Sequence, residues 1–234
     1  MSRFDLSKIA PAIFLLLLVN AAALAQDVPK FEVGVQFSLL SLNRPSQLVG
    51  NGLDPGFTRV GPGIGKRSEP GLGARFTYNL TKHVAFDAET NLFPRSEPNT
   101  TMPGGRVFQG QFGIKVGKRF QRFGIFGKAR PGFVGFTQVT KLIDTFTVPA
   151  DPFGRVFTLG KFAVGKDVYF STDLGGVVEF YPSRRILTRI DVGDTIIHYG
   201  TFRGIGALLS HAIVERPPET KHNLQFSAGV GFRF

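Results

Sequence analysis

The chain has 234 residues, no cysteine and no tryptophan, and a formal net charge of +11 at pH 7. The lack of cysteine excludes a disulfide framework, a thiolate metal site and a cysteine nucleophile. Phenylalanine and glycine are common, at 25 and 29 residues. This length suits one all-β domain rather than several.

The first 25 residues have the pattern of an export signal. Arg3 and Lys8 make the start basic, residues 13–19 are apolar, and residues 23–25 (Ala-Leu-Ala) form a small-x-small cleavage site. The apolar run is too short for a stable membrane helix, so an uncleaved anchor is the weaker alternative. We predict a signal peptide at 1–25 and one mature domain at 26–234. No later apolar run approaches about 20 residues, so any membrane crossing must use strands.

Apolar residues at every second position predict eight β-strands after the signal. Two places fit poorly. Pro131 falls inside the fifth strand, where it cannot donate to a ladder. Asp194 would share the apolar face of the seventh strand unless a bulge near Gly193 or a strand end intervenes. The alternating segments cover residues 31–39, 72–80, 84–92, 108–116, 123–133, 170–180, 190–196 and 224–234.

Short and long connections alternate along the chain, which is typical of an outer-membrane barrel with short periplasmic turns and long external loops. We therefore predict an all-β fold, an eight-stranded antiparallel up-and-down transmembrane β-barrel with both termini periplasmic. The short basic turns lie near 81–83, 118–122 and 182–185, and the long loops span about 41–70, 94–105, 137–166 and 200–222.

The polar face of the predicted strands carries six positive and six negative side chains, interspersed with glycine. A soluble barrel with an apolar lumen has the same period, but balanced charge is what a narrow lumen requires, because buried charges must be paired. Asp87 and Glu89 share one face, and we expect them to pair with Lys115, Lys128 or Arg130 rather than to act in acid–base catalysis. The predicted lumen ionic network is Glu32, Arg75, Asp87, Glu89, Lys115, Lys128, Arg130, Asp173, Glu179, Arg189, Asp191 and Arg233.

The last segment has an alternating apolar pattern formed by Phe226, Ala228, Val230, Phe232 and Phe234. This pattern resembles the C-terminal assembly signal of bacterial outer-membrane barrels, which implies reading by the barrel-assembly machinery. Over about residues 30–234 the chain resembles small barrels of the OmpA/OmpX type. Nothing follows the eighth strand, so we expect the periplasmic peptidoglycan-binding domain of full-length OmpA-like proteins to be missing.

Catalytic patterns are weak, so we expect no enzyme activity, no metal and no cofactor. The resemblance to small outer-membrane barrels includes eight-stranded deacylases, which use a His-x-Ser pair. Neither His198 nor His211 is followed by a serine at that spacing. Ser210 adjoins His211, but strand neighbours point to opposite faces. Residues 61–66 lack the first glycine of a phosphate-binding loop.

An eight-stranded barrel encloses a space just wide enough for side chains. We therefore expect a plugged outer-membrane barrel with structural or interaction roles for its long loops. The alternatives are a narrow porin-like channel, then a lipid-modifying enzyme or a soluble secreted barrel. The scattered basic residues should face anionic lipids, including lipopolysaccharide, because an export signal removes the chain from nucleic acid. The sequence names no extracellular partner.

Overall fold

The computed structural model describes residues 29–50, 58–61, 65–97, 103–149, 156–205 and 213–234. The predicted signal peptide lies outside these ranges, as do His211 and residues 62–64 of the glycine-rich loop. No helix in the described ranges is long and apolar enough to span a membrane.

Eight strands of the described chain close into one antiparallel barrel, and four short strands form two hairpins outside it. Each barrel strand pairs with its neighbours along the chain, and the first closes against the last. The predicted fold class is confirmed. The barrel strands are β1 (Phe31–Asn43), β4 (Lys66–Asn79), β5 (Val84–Glu97), β6 (Gly104–Arg119), β7 (Phe123–Pro149), β8 (Val156–Phe180), β9 (Ile186–Tyr199) and β12 (Glu219–Arg233). The hairpin strands are β2 (Gln47–Gly50) with β3 (Thr58–Gly61), and β10 (Phe202–Ile205) with β11 (Ile213–Arg216).

The barrel wall has apolar side chains outside and ionic side chains inside. Phe86 and Phe112 on the outer face are 51% and 64% exposed. On the inner face, Asp87 of β5 and Arg130 of β7 are 1% and 0% exposed. This polarity is the reverse of a soluble barrel and matches a surface that faces acyl chains.

The two ends of the barrel differ as predicted, but the strands at the loop end are longer than predicted. The three short turns lie between Asn79 and Val84, between Arg119 and Phe123, and between Phe180 and Ile186. At the other end, strand residues enter every predicted long loop, with strand ends at Asn43, Lys66, Glu97, Gly104 and Glu219.

The prediction of a loop at 137–166 is wrong, because β7 and β8 continue to pair through most of it. Pairing of β7 with β6 ends at Gln138, so β7 and β8 continue beyond the barrel as a two-stranded ribbon. Two bulges, between Phe136 and Val139 and between Leu142 and Asp144, interrupt the alternation. A bulge inserts one residue and shifts the faces, which hides the strand from a pattern of period two.

Both residues that fit the pattern poorly remain inside strands. Pro131 pairs with Thr172 on β8, whereas no pairing with β6 is assigned at Pro131 itself, as expected for a residue without an N–H. The bulge considered near Gly193 is not present, since β9 pairs without interruption on both sides. Asp194 instead stays on the outer face, where its carboxylate lies 2.5 Å from Nδ1 of His222.

The polarity of the wall predicts the effect of a charge placed on the outer face. Phe112→Arg, near the middle of β6, should lower the free energy of unfolding from lipid vesicles by about 2–4 kcal/mol, the cost of arginine near a bilayer midplane. Ile143→Arg is the matched control, because Ile143 lies on the ribbon and is 56% exposed. It should change that energy by less than about 1 kcal/mol. Equal effects in a denaturant titration would contradict a lipid-facing Phe112.

Candidate functional site

The barrel interior contains every member of the predicted ionic network. All twelve side chains lie on the inner face and are buried, and the structure divides them between two clusters at different heights. The members are Glu32, Arg75, Asp87, Glu89, Lys115, Lys128, Arg130, Asp173, Glu179, Arg189, Asp191 and Arg233.

The central cluster is built around Asp87 of β5, which receives two guanidinium groups. Arg189 of β9 donates to both carboxylate oxygens of Asp87 at 2.8 Å, and its Nη2 also donates to Asp191 at 2.7 Å. The hydroxyl of Thr77 donates to Asp87 at 2.6 Å. This two-point pairing is the strong arginine–carboxylate geometry, and it joins strands on opposite sides of the barrel.

Arg130 of β7 extends the central cluster. Its Nε and Nη2 donate to Asp173 at 2.9 and 2.6 Å, and its Nη1 donates to Asp87 at 2.9 Å and Glu89 at 2.6 Å. Lys128, two residues before it, lies 2.6 Å from Asp173. The Arg130 guanidinium therefore contacts three carboxylates on two strands, β5 and β8. Asp87 and Glu89 both accept hydrogen bonds from cationic partners in these ion pairs.

Glycine makes room for these long side chains. A Cβ built at Gly193 would fall 3.0 Å from the Lys128 ammonium and onto the Asp173 carboxylate. This position therefore tolerates no side chain without moving the ion pair.

The second cluster lies at the turn end and includes a residue that the sequence analysis placed in a turn. Lys115 pairs with Glu179, and Arg119 donates to Glu32 at 3.1 Å. Arg119 Nε also donates to the hydroxyl of Tyr181 at 3.2 Å. Arg119 is four residues after Lys115, so an unbroken alternation along β6 places both side chains on the inner face.

A layer of neutral polar side chains lies above the ionic clusters, toward the loop end. The Ser38 hydroxyl donates to Asn91 at 2.9 Å and lies 2.8 Å from the hydroxyl of Ser227. Gln109 donates to Gln225 at 2.8 Å. The alternation of the strands predicts the inward position of these side chains, whereas their hydrogen bonds with one another emerge only from the closed barrel.

The loop end of the interior is mainly apolar, with one buried ion pair between Arg67 and Glu69 of β4. On β1 the inner face runs from Glu32 through Ser38 to Leu40 and Leu42. The same change occurs on β5, β6, β7 and β9, whereas β4 and β12 keep polar inner residues, and Tyr169 of β8 packs against the resulting cluster. We call this cluster the apolar cap. It consists of Leu40, Leu42, Phe93, Val107, Val134, Phe136, Val139, Ile197 and Tyr199.

The described histidines do not assemble a hydrolase site. On the outer wall His222 contacts Asp194, while the Nδ1 of His198 lies 2.9 Å from the hydroxyl of Thr220. To activate a nucleophile, one histidine must hydrogen-bond both to the nucleophile and to a carboxylate that orients it. Here the carboxylate contacts His222 and the hydroxyl contacts His198. Within the described residues no group of histidine and acidic side chains could hold a metal ion.

The turn end carries a ring of exposed cations. The three turns contain no aspartate or glutamate. Phe120 and Phe123 stack at a centroid distance of 4.5 Å, and the Lys118 ammonium lies 5.4 Å above the Phe120 ring. We call this ring the basic rim. It comprises Lys30, Lys82, Lys118, Arg122, Arg184 and Arg185.

The final strand brings the predicted assembly signal to the outer wall beside the first strand. Phe31 and Phe234 exchange two backbone hydrogen bonds of 2.9 Å, and their rings stack at 5.9 Å. Phe226, Phe232 and Phe234 are exposed on the outer face. The reading of this pattern by the assembly machinery stays a prediction.

Comparisons with known proteins gave structural matches alone. No protein-family model matches the chain, and no curated protein sequence matches it. Ail of Yersinia pestis, solved with the heparin analogue sucrose octasulfate, is 10% identical, with 88% of this chain and 99% of that chain covered and a TM-score of 0.42. The outer membrane protein OprG of Pseudomonas aeruginosa is 9% identical, with coverage of 90% and 98% and a TM-score of 0.48. The outer membrane protease OmpT of Escherichia coli is 8% identical, with coverage of 92% and 100% and a TM-score of 0.48. The neighbours of this eight-stranded barrel are outer-membrane proteins, and they include a protease.

Proposed function

We propose that this chain is a non-enzymatic outer-membrane barrel with a sealed lumen, and that its loop end performs a structural or interaction role outside the cell. Both termini and the basic rim lie on the periplasmic side. Among the described residues of the loop end, the ribbon of β7 and β8 is the longest element, and it presents the exposed apolar side chains Ile143, Phe162 and Val164.

The filling of the lumen is the observation that carries this proposal. Ionic pairs occupy the turn end and the middle, neutral polar groups lie above them, and the apolar cap closes the loop end. Phe93, Val107 and Val134 in the cap are each 0% exposed. An ion crossing this cap would lose its hydration, and the charged side chains beside it, Arg67 and Glu69, are already paired with each other, so the crossing costs several kcal/mol or more.

The proposal is tested by conductance across a planar bilayer. The folded chain should insert without opening stable steps of nanosiemens size, because the cap and the ion pairs close the lumen. Phe93→Ala with Phe136→Ala is the matched variant, since it removes two large side chains of the cap and leaves the ion pairs intact. Stable steps of that size from the unmodified chain would reject the sealed barrel and favour the channel.

The central cluster predicts a large effect on stability. Arg189→Ala removes the two-point partner of Asp87 and leaves a buried carboxylate under-compensated, so the free energy of unfolding should fall by about 3–5 kcal/mol. Arg122→Ala, an exposed arginine of the basic rim, is the control and should have an effect below about 1 kcal/mol. An unfolding midpoint for Arg189→Ala equal to that of the unmodified chain would contradict the pairing.

The basic rim supports lipids as partners at the turn end. Two of its cations, Lys30 and Arg122, directly precede the outward-facing aromatic residues Phe31 and Phe123, at the depth where headgroups lie. They occur at all three turns and beside the first strand, so they surround the barrel. Anionic phosphates attract such cations by about 1 kcal/mol each near a membrane surface. Lipopolysaccharide at the loop end and the barrel-assembly machinery during biogenesis complete the proposed partners.

The lipid partner is tested by the lipids retained around the barrel. We expect phosphatidylglycerol to be enriched over phosphatidylcholine when the protein is extracted with its lipid shell from equimolar vesicles. Neutralising the rim should reduce that enrichment, because the attraction is between charges. The variant combines Lys82→Gln, Lys118→Gln and Arg122→Gln.

The matched control removes three lysines from the ribbon, beyond the membrane. It changes the net charge by the same amount and should keep the enrichment. Unchanged enrichment in the rim variant, measured by lipid mass spectrometry, would count against lipid binding by the rim. The control combines Lys141→Gln, Lys161→Gln and Lys166→Gln.

A further inference from the structure

Arg75 of β4 is a buried cation that makes no direct ion pair within 4 Å among the described residues, although Glu32, Asp87 and Glu179 attract it from farther away. Its side chain is 5% exposed, and its Nη2 has no hydrogen-bond partner. Glu89 is the residue directly opposite on β5. The Glu89 carboxylate nevertheless turns to Arg130 at 2.6 Å and to the amide of Asn91 at 2.7 Å.

The other carboxylates of the two clusters are also engaged elsewhere. Asp87 receives Arg189 and Arg130, and Glu32 receives Arg119 and lies within 4 Å of Lys115. The described part of the two clusters therefore holds six carboxylates against seven cations, and the excess cation is Arg75. The carboxylates are Glu32, Asp87, Glu89, Asp173, Glu179 and Asp191, and the cations are Arg75, Lys115, Arg119, Lys128, Arg130, Arg189 and Arg233.

A glycine wall faces the Arg75 guanidinium. A Cβ at Gly34 of β1 would lie 3.0 Å from Arg75 Nε, and a Cβ at Gly231 of β12 would lie 3.2 Å from Nη2. Because these two inward positions on adjacent strands are glycines, the Arg75 guanidinium faces backbone there and not a carboxylate. The barrel wall accommodates this charge sterically but does not neutralise it.

A cleft at the turn end lies near this region. It has a volume of about 670 Å³ and is lined by Arg119, Arg184 and Arg233, among others. Arg233 is the next inward-facing residue after Gly231 on β12, so the cleft lies one inward position from the Arg75 guanidinium. Its cations would attract anions, and the apolar cap closes the opposite end.

We propose that Arg75 and its glycine wall form a binding site for one small monovalent anion of the chloride or bromide class. An isolated buried charge is strongly unfavourable, and a single negative charge balances the excess of one cation. A doubly charged oxyanion would turn the one excess positive charge of the clusters into one excess negative charge. Water would solvate the guanidinium but would not neutralise it.

The first test locates the anion in the complete, unmodified barrel. Crystals grown in sodium bromide should show an anomalous peak within hydrogen-bonding distance of the Arg75 guanidinium. Crystals of the Arg75→Leu variant, grown in the same way, should lack this peak and keep any peaks at the basic rim. Bromide peaks confined to the rim in the unmodified chain would overturn the proposal.

The second test measures the thermal midpoint in a non-ionic detergent at constant ionic strength. Replacing gluconate, which is too large for the lumen, by bromide should raise the midpoint by about 2–4 °C in a saturating manner. Arg75→Leu should abolish the rise. Its midpoint in gluconate should not fall below that of the unmodified chain, since its removal leaves no carboxylate without a partner.

Lys82→Gln, in the rim, is the control and should keep the full response to bromide. An identical response in Arg75→Leu would assign the effect to other cations and reject the site. If that variant does not fold, Arg75→Lys replaces the guanidinium by a compact ammonium and should change the bromide concentration at half saturation. The bromide peak in the unmodified chain needs no variant.

Discussion

Charge neutralisation inside a narrow cylinder is the constraint on which the rest of this structure depends. The outer wall must be apolar to face acyl chains, so the alternation of β-strands sends the charged side chains inward. Water cannot compensate them fully there, and each carboxylate needs a cation within reach. Asp87 meets this need by pairing with Arg130 and Arg189, which come from β7 and β9. The ion pairs therefore connect the walls of the barrel that they fill.

The order of the interior layers follows from the same constraint. Charged groups lie in the middle and at the turn end, where many acceptors and donors converge. The neutral layer of Ser38, Asn91 and Gln109 needs fewer partners for each side chain. The apolar cap needs none, and it closes the loop end. A lumen filled in this way is a structural core, and its stabilising contacts run across the barrel as well as along its wall.

The two ends of the barrel serve different surroundings. At the turn end, short connections and exposed cations remain close to the wall, and the stacked Phe120 and Phe123 lie among them. At the loop end, β7 and β8 leave the barrel as a paired ribbon. Within the ribbon, β7 and β8 pair with each other, so each has one hydrogen-bonding partner strand. The barrel is therefore closed by pairing on both sides of every strand, and the ribbon extends beyond it.

The alternation of the sequence by itself determined the eight spans, their inward and outward faces, the position of the short turns and the burial of all twelve charged residues, because period two is a local property of strands. Only the tertiary structure decided the partners within the lumen. Arg130 and Arg75 both lie near Glu89, and closure of the barrel assigns Glu89 to Arg130 across the lumen. The apolar cap and the ribbon were also beyond the sequence pattern. The inner residues of the cap are as apolar as the outer ones, and the bulges after Phe136 and Leu142 interrupt the period on which the pattern depends.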